Sequence, residues 1–223
     1  MCGKFTQMAR WKGVVAFSQP LQAATGANDE IITATPMRLA HVLRLGAAGQ
    51  REVVPMRWGF SDKRAANPAR PKHMHVRAET IDTKPTFATA FEKARAILLV
   101  QTFNEGEDLP SGKTRQWVIT PKDGKPLGIA VIWEEWVNGP ERLTTFVMVT
   151  VPPNDLIAKV TDRMPAFLRP EDWSAWLGET GASLAEVKAL LRTYEDSGNW
   201  EMAEQAPPRR GKPSSGGPGL FGR

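Results

Sequence analysis

RLAHVLRLGAAGQREVVPMRW, residues 38–58, reads as two strands around a loop. Arg38–Leu45 and Glu52–Trp58 are short apolar runs, and the GAAGQ between them, residues 46–50, carries the glycines of a hairpin connection. The same grammar recurs downstream. Ala96–Phe103, Arg115–Thr120, Leu127–Trp133 and Thr144–Val151 are strand-like runs separated by Gly, Pro and Asp. The Asp-Gly pair within PKDGKP, residues 121–126, predicts a turn that joins the runs on either side of it as a hairpin. Helical patterning is confined to the C-terminal part. Ser183-Leu184-Ala185-Glu186 is a capping-box pattern, and Leu184, Val187, Leu190, Leu191 and Tyr194 recur at helical spacing over about three turns. A shorter helix is predicted from Pro170 to Leu177, with Gly178 at its end. No internal repeat and no alternation of strand and helix is visible, which argues against a doubly wound sheet or an eight-fold βα barrel. The fold class is α+β: a largely antiparallel, curved or barrel-like sheet with a few peripheral helices.

The chain has 223 residues, 41% of them hydrophobic, enough for a packed core. One cysteine excludes an internal disulfide, and with three histidines it excludes a Cys-rich structural zinc site. No apolar run approaches the roughly 20 residues of a membrane span, and MCGKFTQMAR has no signal-peptide core, so a cytoplasmic location without membrane contact is expected. The net charge of +5 is misleading. Residues 205–223, QAPPRRGKPSSGGPGLFGR, hold Arg209, Arg210, Lys212 and Arg223 and no acid; taking these four from 29 basic residues leaves 25 against 24 acidic, a net of +1 for residues 1–204. Any nucleic-acid surface on the body is therefore a local cluster. The Pro-, Gly- and Ser-rich tail cannot offset the entropy of ordering, so one folded domain is expected over 1–204 and a flexible basic tail over 205–223.

The sole cysteine stands at position 2. Removal of an initiator methionine before a small residue leaves an N-terminal cysteine, whose amine (pKa about 8) and thiol (pKa about 8.5) sit on adjacent carbons. Such an aminothiol captures an aldehyde in two steps: the amine condenses to an imine, and the thiol then closes a thiazolidine on the same carbon. The second step is intramolecular and correspondingly fast.

Cys2-Gly3-Lys4-Phe5, Met56-Arg57-Trp58-Gly59-Phe60, Arg77-Ala78-Glu79-Thr80 and Asp162-Arg163-Met164-Pro165 occur in an order and spacing that resembles the SOS-response-associated peptidase (SRAP) family. Ala34-Thr35-Pro36, Phe103-Asn104-Glu105, Trp133-Glu134-Glu135-Trp136 and the Trp173–Leu177 helix fit it too, so the resemblance covers roughly residues 2–178. It implies a sensor of abasic sites in single-stranded DNA that crosslinks to them covalently through Cys2, and, from the family's name, possible self-removal of Met1. It also places Glu105 as general acid and base, at the end of the apolar run Ile97–Val100 where burial raises a carboxyl pKa. No cofactor is needed.

This sequence departs from the family pattern at three places. His75 stands where Asn is typical, Thr161 where His is typical, and Lys4 where Arg is typical, which keeps the charge and loses the bidentate fork. His75 is therefore read as a compensating imidazole that donates a hydrogen bond or a proton. Lys4, Arg57, Arg77 and Arg163 are read as a phosphate clamp, and Trp58, with Phe60, as a stacking or wedging surface for bases. Arg64–Lys72 reads as a basic lip of the groove, and Leu220-Phe221 as a short peptide for a partner's groove, a replication clamp being one candidate. His41 and His73 are given structural places, on a strand face and a basic loop. A monomer is expected. The alternatives are a noncovalent single-stranded or damaged-DNA binding module, and a cysteine peptidase or hydrolase, which the absence of His at position 161 disfavours.

Overall fold

Strands dominate the computed structural model, which describes residues 2–8, 21–22, 31–61, 68 and 71–205. The tail beyond Gln205 and most of Arg64–Lys72 lie outside the described residues. In chain order the strands are β1 (Lys4–Met8), β2 (Leu21–Gln22), β3 (Ile31–Ala34), β4 (Leu39–Leu45), β5 (Arg51–Trp58), β6 (His75–Arg77) and β7 (Arg95–Val100). They continue with β8 (Thr102–Asp108), β9 (Thr114–Pro121), β10 (Leu127–Asn138), β11 (Glu141–Val151), β12 (Met164–Pro165), β13 (Phe167–Leu168) and β14 (Trp200–Glu204). The helices are α1 (Pro85–Lys93), α2 (Trp173–Leu177) and α3 (Leu184–Ala189).

The hairpin read at residues 38–58 is present, with β4 antiparallel to β5 and Gly46 N–H donating to Gln50 C=O across the loop. It is one side of a closed barrel. β4 pairs with β7, β7 with β10 and β10 with β11, all antiparallel, and β11 returns to β5 in parallel through Arg57↔Thr145 and Trp58↔Phe146. A second, wholly antiparallel sheet runs β14-β9-β8-β1-β3. Barrel strands covered on both faces carry unbroken apolar runs, Ile97–Val100 in β7 and Ile129–Ile132 in β10, where a strand open to water on one face would alternate. Short helices supply some of that cover. In α2, Trp176 Nε1–H donates to Ala96 C=O at 2.8 Å, and the Trp173 ring lies over Gly128, where a Cβ would come within 2.9 Å of it.

Three local expectations are corrected. The run Ala96–Phe103 is two strands. The chain leaves the barrel at Gln101, whose N–H donates to Thr6 C=O, and enters the second sheet as β8. The turn at Asp123-Gly124 exists, but it carries the chain from β9 in the second sheet to β10 in the barrel, so no hairpin forms there. The helix from Leu184 stops at Ala189, and Tyr194 turns in to stack on Trp200, centroids 5.3 Å apart. The capping box at Ser183–Glu186 is formed as read. Helix α1 carries no capping side chain and was not expected, although Pro85 marks its first position and Phe87, Ala90 and Phe91 have helical spacing and are buried. Among the described residues no helix is long and apolar enough to cross a membrane.

Gln7 ties the two sheets together. From β1 its amide Nε2 donates to His41 C=O (2.9 Å) and Leu99 C=O (2.8 Å) on barrel strands, and its Oε1 accepts from His41 N–H (3.0 Å). Gln7→Ala strands one donor and two acceptors in the interior, each costing about 1–3 kcal/mol unless water reaches it. Urea denaturation is expected to show a loss of about 2–4 kcal/mol; a loss below about 0.5 kcal/mol would mean the sheets are joined elsewhere.

Candidate active site

The start of the chain is held between two strands. β1 pairs with β3 through Phe5↔Ala34 and with β8 through Lys4↔Asn104 and Phe5↔Phe103, so its backbone is bonded on both edges. This leaves Cys2, just ahead of β1, buried at 1% exposure beside the end of β8. Its thiol donates to Lys4 C=O at 3.3 Å. Its own backbone N–H lies near the carboxyl of Glu105, a side chain with no exposed surface.

The electrostatics follow from that burial. Desolvation, and then the nearby Glu105 charge, push the Cys2 thiol far up, so it holds its proton at neutral pH. Burial pushes Glu105 up to about 7, against the pull of the chain's amino-terminal charge and the Cys2 N–H; the Asp162 charge adds to the rise. A carboxyl poised near 7 gives and takes protons with comparable ease at neutral pH.

His75 completes the frame. The parallel pairing of β6 on β11, Met148↔His75, carries it to Cys2, whose carbonyl oxygen accepts a hydrogen bond from His75 Nε2–H at 2.8 Å. A carbonyl only accepts, so Nε2 bears the proton and Nδ1 is bare. Burial lowers His75 to about 4, so the ring is neutral at physiological pH. The hydrogen-bonding half of the expectation for His75 fits this geometry. The proton-donating half does not.

Trp58 backs this histidine from inside the protein. Its Nε1–H donates to Met74 C=O (2.9 Å), and its ring meets His75 edge-on at 5.7 Å and Phe146 face to face at 6.4 Å. Gly59 lets the chain lie close here: with φ 114 and Pro71 Cβ 2.6 Å from any added Cβ, only glycine fits. Trp58 and Phe60 are fully buried, so the stacking surface expected of them is corrected to core packing under the site. The reason is strand register. Trp58 is the inward residue at which β5 closes onto β11.

The four clamp cations divide. Lys4 and Arg57 are half-buried and Arg77 is exposed; Arg57 and Arg77 stand opposite Thr145 and Thr150 of the same strand, β11. Arg163 is 8% exposed, and its fork grips Glu79 (2.6 and 2.9 Å) and Thr150 C=O (2.7 Å). Its expected phosphate contact is corrected to an internal brace, which holds the Glu79 carboxyl below the usual range through the hydrogen bond from Arg163. Thr161 is half-buried, with its N–H on Ile157 C=O, and the neighbouring Asp162 charge acts on Glu105, so this loop does face the site. Sequence reasoning missed Asp162, although it lies within a quoted motif. It also missed two exposed apolar side chains, Met37 (46%) on the turn where its N–H donates to Trp58 C=O, and Leu39 (58%) at the start of β4. His41 and His73 take the structural places expected, His41 on β4 and His73 bridged to Phe60.

The family described as SOS response associated peptidase (SRAP) matches residues 1–205. The abasic site processing protein YoqW of Bacillus subtilis is 25% identical over 203 residues, covering 87% of this chain and 88% of its own. The abasic site processing protein YedK of Escherichia coli is 23% identical over 158 residues, 68% of each chain. Two crystal structures share the fold: a Bacteroides thetaiotaomicron protein (TM-score 0.77, 21% identity, 91% of both chains) and a Bordetella bronchiseptica protein (TM-score 0.76, 20% identity, 92% of this chain and all of that one).

The raised Glu105 pKa has a consequence for stability. An unfolded carboxyl releases its proton near 4.5 and the folded one near 7, so the folded state binds the extra proton between those values and stability falls as pH rises through that window. The difference is at most about 3 kcal/mol. Glu105→Gln never ionises, and is expected to melt higher than the parent at pH 8 while matching it at pH 4.5. Equal melting temperatures at pH 8 would mean the carboxylate is solvated.

Proposed function

The chain belongs to the SOS response associated peptidase family, and on that footing we propose that it processes abasic sites in single-stranded DNA by covalent capture on Cys2. The observation that carries this reading is the placement of Cys2: backbone N–H and thiol near the Glu105 carboxyl, carbonyl on His75, thiol protonated and buried.

An abasic deoxyribose is a masked aldehyde, closed as a hemiacetal. Glu105, protonated in part at pH 7, gives its proton to the ring oxygen as the C1′–O4′ bond breaks, and the C1′ hydroxyl returns a proton to the carboxylate as it becomes the aldehyde. Once Met1 is gone, the Cys2 amine adds to C1′, the carbinolamine loses water, and an imine forms. The thiol adds to the imine carbon, and its proton passes to the imine nitrogen. The products are a thiazolidine and one water. A thiol that keeps its proton suits this order, because the amine attacks first and the S–H proton is needed in the second step. Glu105 relays the protons. His75 is a positioning residue: its Nε2–H fixes the Cys2 carbonyl, and its low pKa keeps it from competing as an acid.

Lys4, Arg57 and Arg77 attract the strand, and the exposed Met37 and Leu39 offer the apolar contact to bases that buried Trp58 does not. The rival peptidase reading wants a base beside the thiol that keeps it ionised. Burial and Glu105 act against ionisation here.

Single-turnover reaction with an abasic oligonucleotide, read as a covalent band on a denaturing gel, tests the proposal. Cys2→Ala is expected to abolish the band, and Glu105→Gln to slow it at least 100-fold and remove a rate inflection near pH 7. His75→Asn, which restores an amide donor, is expected to stay within about tenfold of the parent, with His75→Ala slower. A band that survives Cys2→Ala, or a Glu105→Gln rate equal to the parent's at every pH, would refute the assignment.

A further inference from the structure

A cavity of about 210 Å³ lies where the turn after β9, the end of β13 and the start of β14 meet. Aromatic side chains dominate its wall: Phe167, Trp173, Tyr194 and Trp200, with three prolines beside them. Tyr194 and Trp200 stack at 5.3 Å and Phe167 meets Trp200 edge-on at 5.2 Å, so the wall is held by its own packing. The charged lining residues, Asp123, Lys125 and Arg169, are exposed. An apolar cavity of about 150 Å³ is enough for a benzene ring, so this one has room for an aromatic side chain and part of a neighbour.

The chain carries a segment that matches it. Residues 194–205 hold four acids, Glu195, Asp196, Glu201 and Glu204, all exposed, and no base. Residues 206–223 hold four bases and no acid, and their only large apolar side chains are Leu220 and Phe221. Adjoining blocks of opposite charge attract when the second folds back on the first. The Tyr194 hydroxyl senses the acidic block: burial raises its pKa, and the Asp196, Asp123 and Glu171 charges raise it further against the pull of Arg169. The span matches as well. Gln205 fixes where the tail begins, its N–H donating to Gln116 C=O (2.8 Å) and its Oε1 accepting from Asn104 Nδ2 (3.1 Å). From Gln205 back along β14 to Trp200, at the cavity, is about 17 Å at the usual strand rise. Leu220 follows Gln205 by 15 residues, and a flexible chain of that length has a root-mean-square span of about 20 Å. A tether that fits its span holds the segment at millimolar effective concentration, so weak affinity suffices.

We infer that this cavity seats the chain's own Leu220-Phe221. The Phe221 ring enters beside Trp173, Tyr194 and Trp200, and Arg209, Arg210 and Lys212 lie along Glu201 and Glu204. Pro207 and Pro208 cannot take the place, because within three residues of Gln205 they reach no more than about 11 Å. Among the described residues β14 is the outer strand of its sheet, so the returning tail also covers an open edge. A seated tail keeps the Leu-Phe pair from any partner's groove until it is displaced. Cys2, Glu105 and His75 do not line this cavity, and the inference stands apart from the reading under Proposed function.

The test places a photoreactive ring in the full chain by Phe221→p-benzoylphenylalanine. The chain is irradiated at micromolar dilution and the product mapped by mass spectrometry. An intrachain crosslink to cavity residues, Tyr194 or Trp173 among them, is expected, and it should slow in about 1 M salt, where the screening length falls to about 3 Å. Glu201→Lys combined with Glu204→Lys is expected to slow initial crosslinking about threefold at low salt. Glu92→Lys combined with Glu141→Lys, the same charge change on exposed residues off β14 and outside the cavity, is expected to leave the rate unchanged. Circular dichroism checks that each variant keeps the parent's fold. Crosslinks between two chains would overturn the inference in favour of a second copy. Intrachain crosslinks confined to residues outside the cavity, or none at all, would overturn the seat. Equal rates for the two charge-reversed variants would overturn the pairing of the tail with the acids of β14.

Discussion

Five residues of backbone pairing carry the site. Lys4–Met8 lies between β3 and β8, with bonds on both edges, and Gln7 fastens it from one face to the barrel. A chain end is ordinarily the least ordered part of a protein. Here it is an interior strand, and that is why Cys2 is buried against Glu105. The reactivity proposed for Cys2 rests on the same constraint, because burial raises both the thiol and the carboxyl pKa and lowers that of His75. In water these groups would be a thiol near 8.5, a carboxylate and an imidazole about one-quarter charged at pH 7, none suited to passing protons through an imine.

The barrel holds the other half of the site by a chain of register relations along β11. That strand receives β5 at Thr145 and Phe146, β6 at Met148–Thr150 and β12 at Thr150 and Val151. Arg57, His75, Arg77 and the Asp162–Arg163 loop, which are far apart in sequence, thus stand along one strand. The Arg163–Glu79 fork ties two of these segments together. Arg163 and Trp58 accordingly act on the site from beneath, by holding the segments that bear its reactive groups.

What could be read from sequence was what short-range chemistry decides. The hairpin at residues 38–58, the capping box at Ser183 and the Trp173–Leu177 helix were legible because their signals lie within a few residues of each other. The parallel closure of β5 on β11 was not, since its partners are 88 positions apart along the chain and leave no local mark. Nor was the break at Gln101, where an unbroken apolar run conceals a change of sheet. Cys2 and Glu105 became candidates through an ordered set of motifs and His75 through its departure from one, not through a pattern of spacing; nothing local separates Glu105 from Glu107. Trp58 and Arg163 misled because a side chain's type does not reveal which face of a strand it leaves from. Asp162 was overlooked because its effect on Glu105 acts through space.

The central claim is that a free Cys2 aminothiol closes a ring on the abasic sugar, and intact-protein mass spectrometry after incubation with an abasic single strand tests it most directly. The account predicts a chain lacking Met1 whose adduct weighs the sum of protein and oligonucleotide less one water, formed without any added reductant and mapped to Cys2. An adduct on chains that retain Met1, or one recovered only after borohydride reduction and mapped to a lysine, would contradict it.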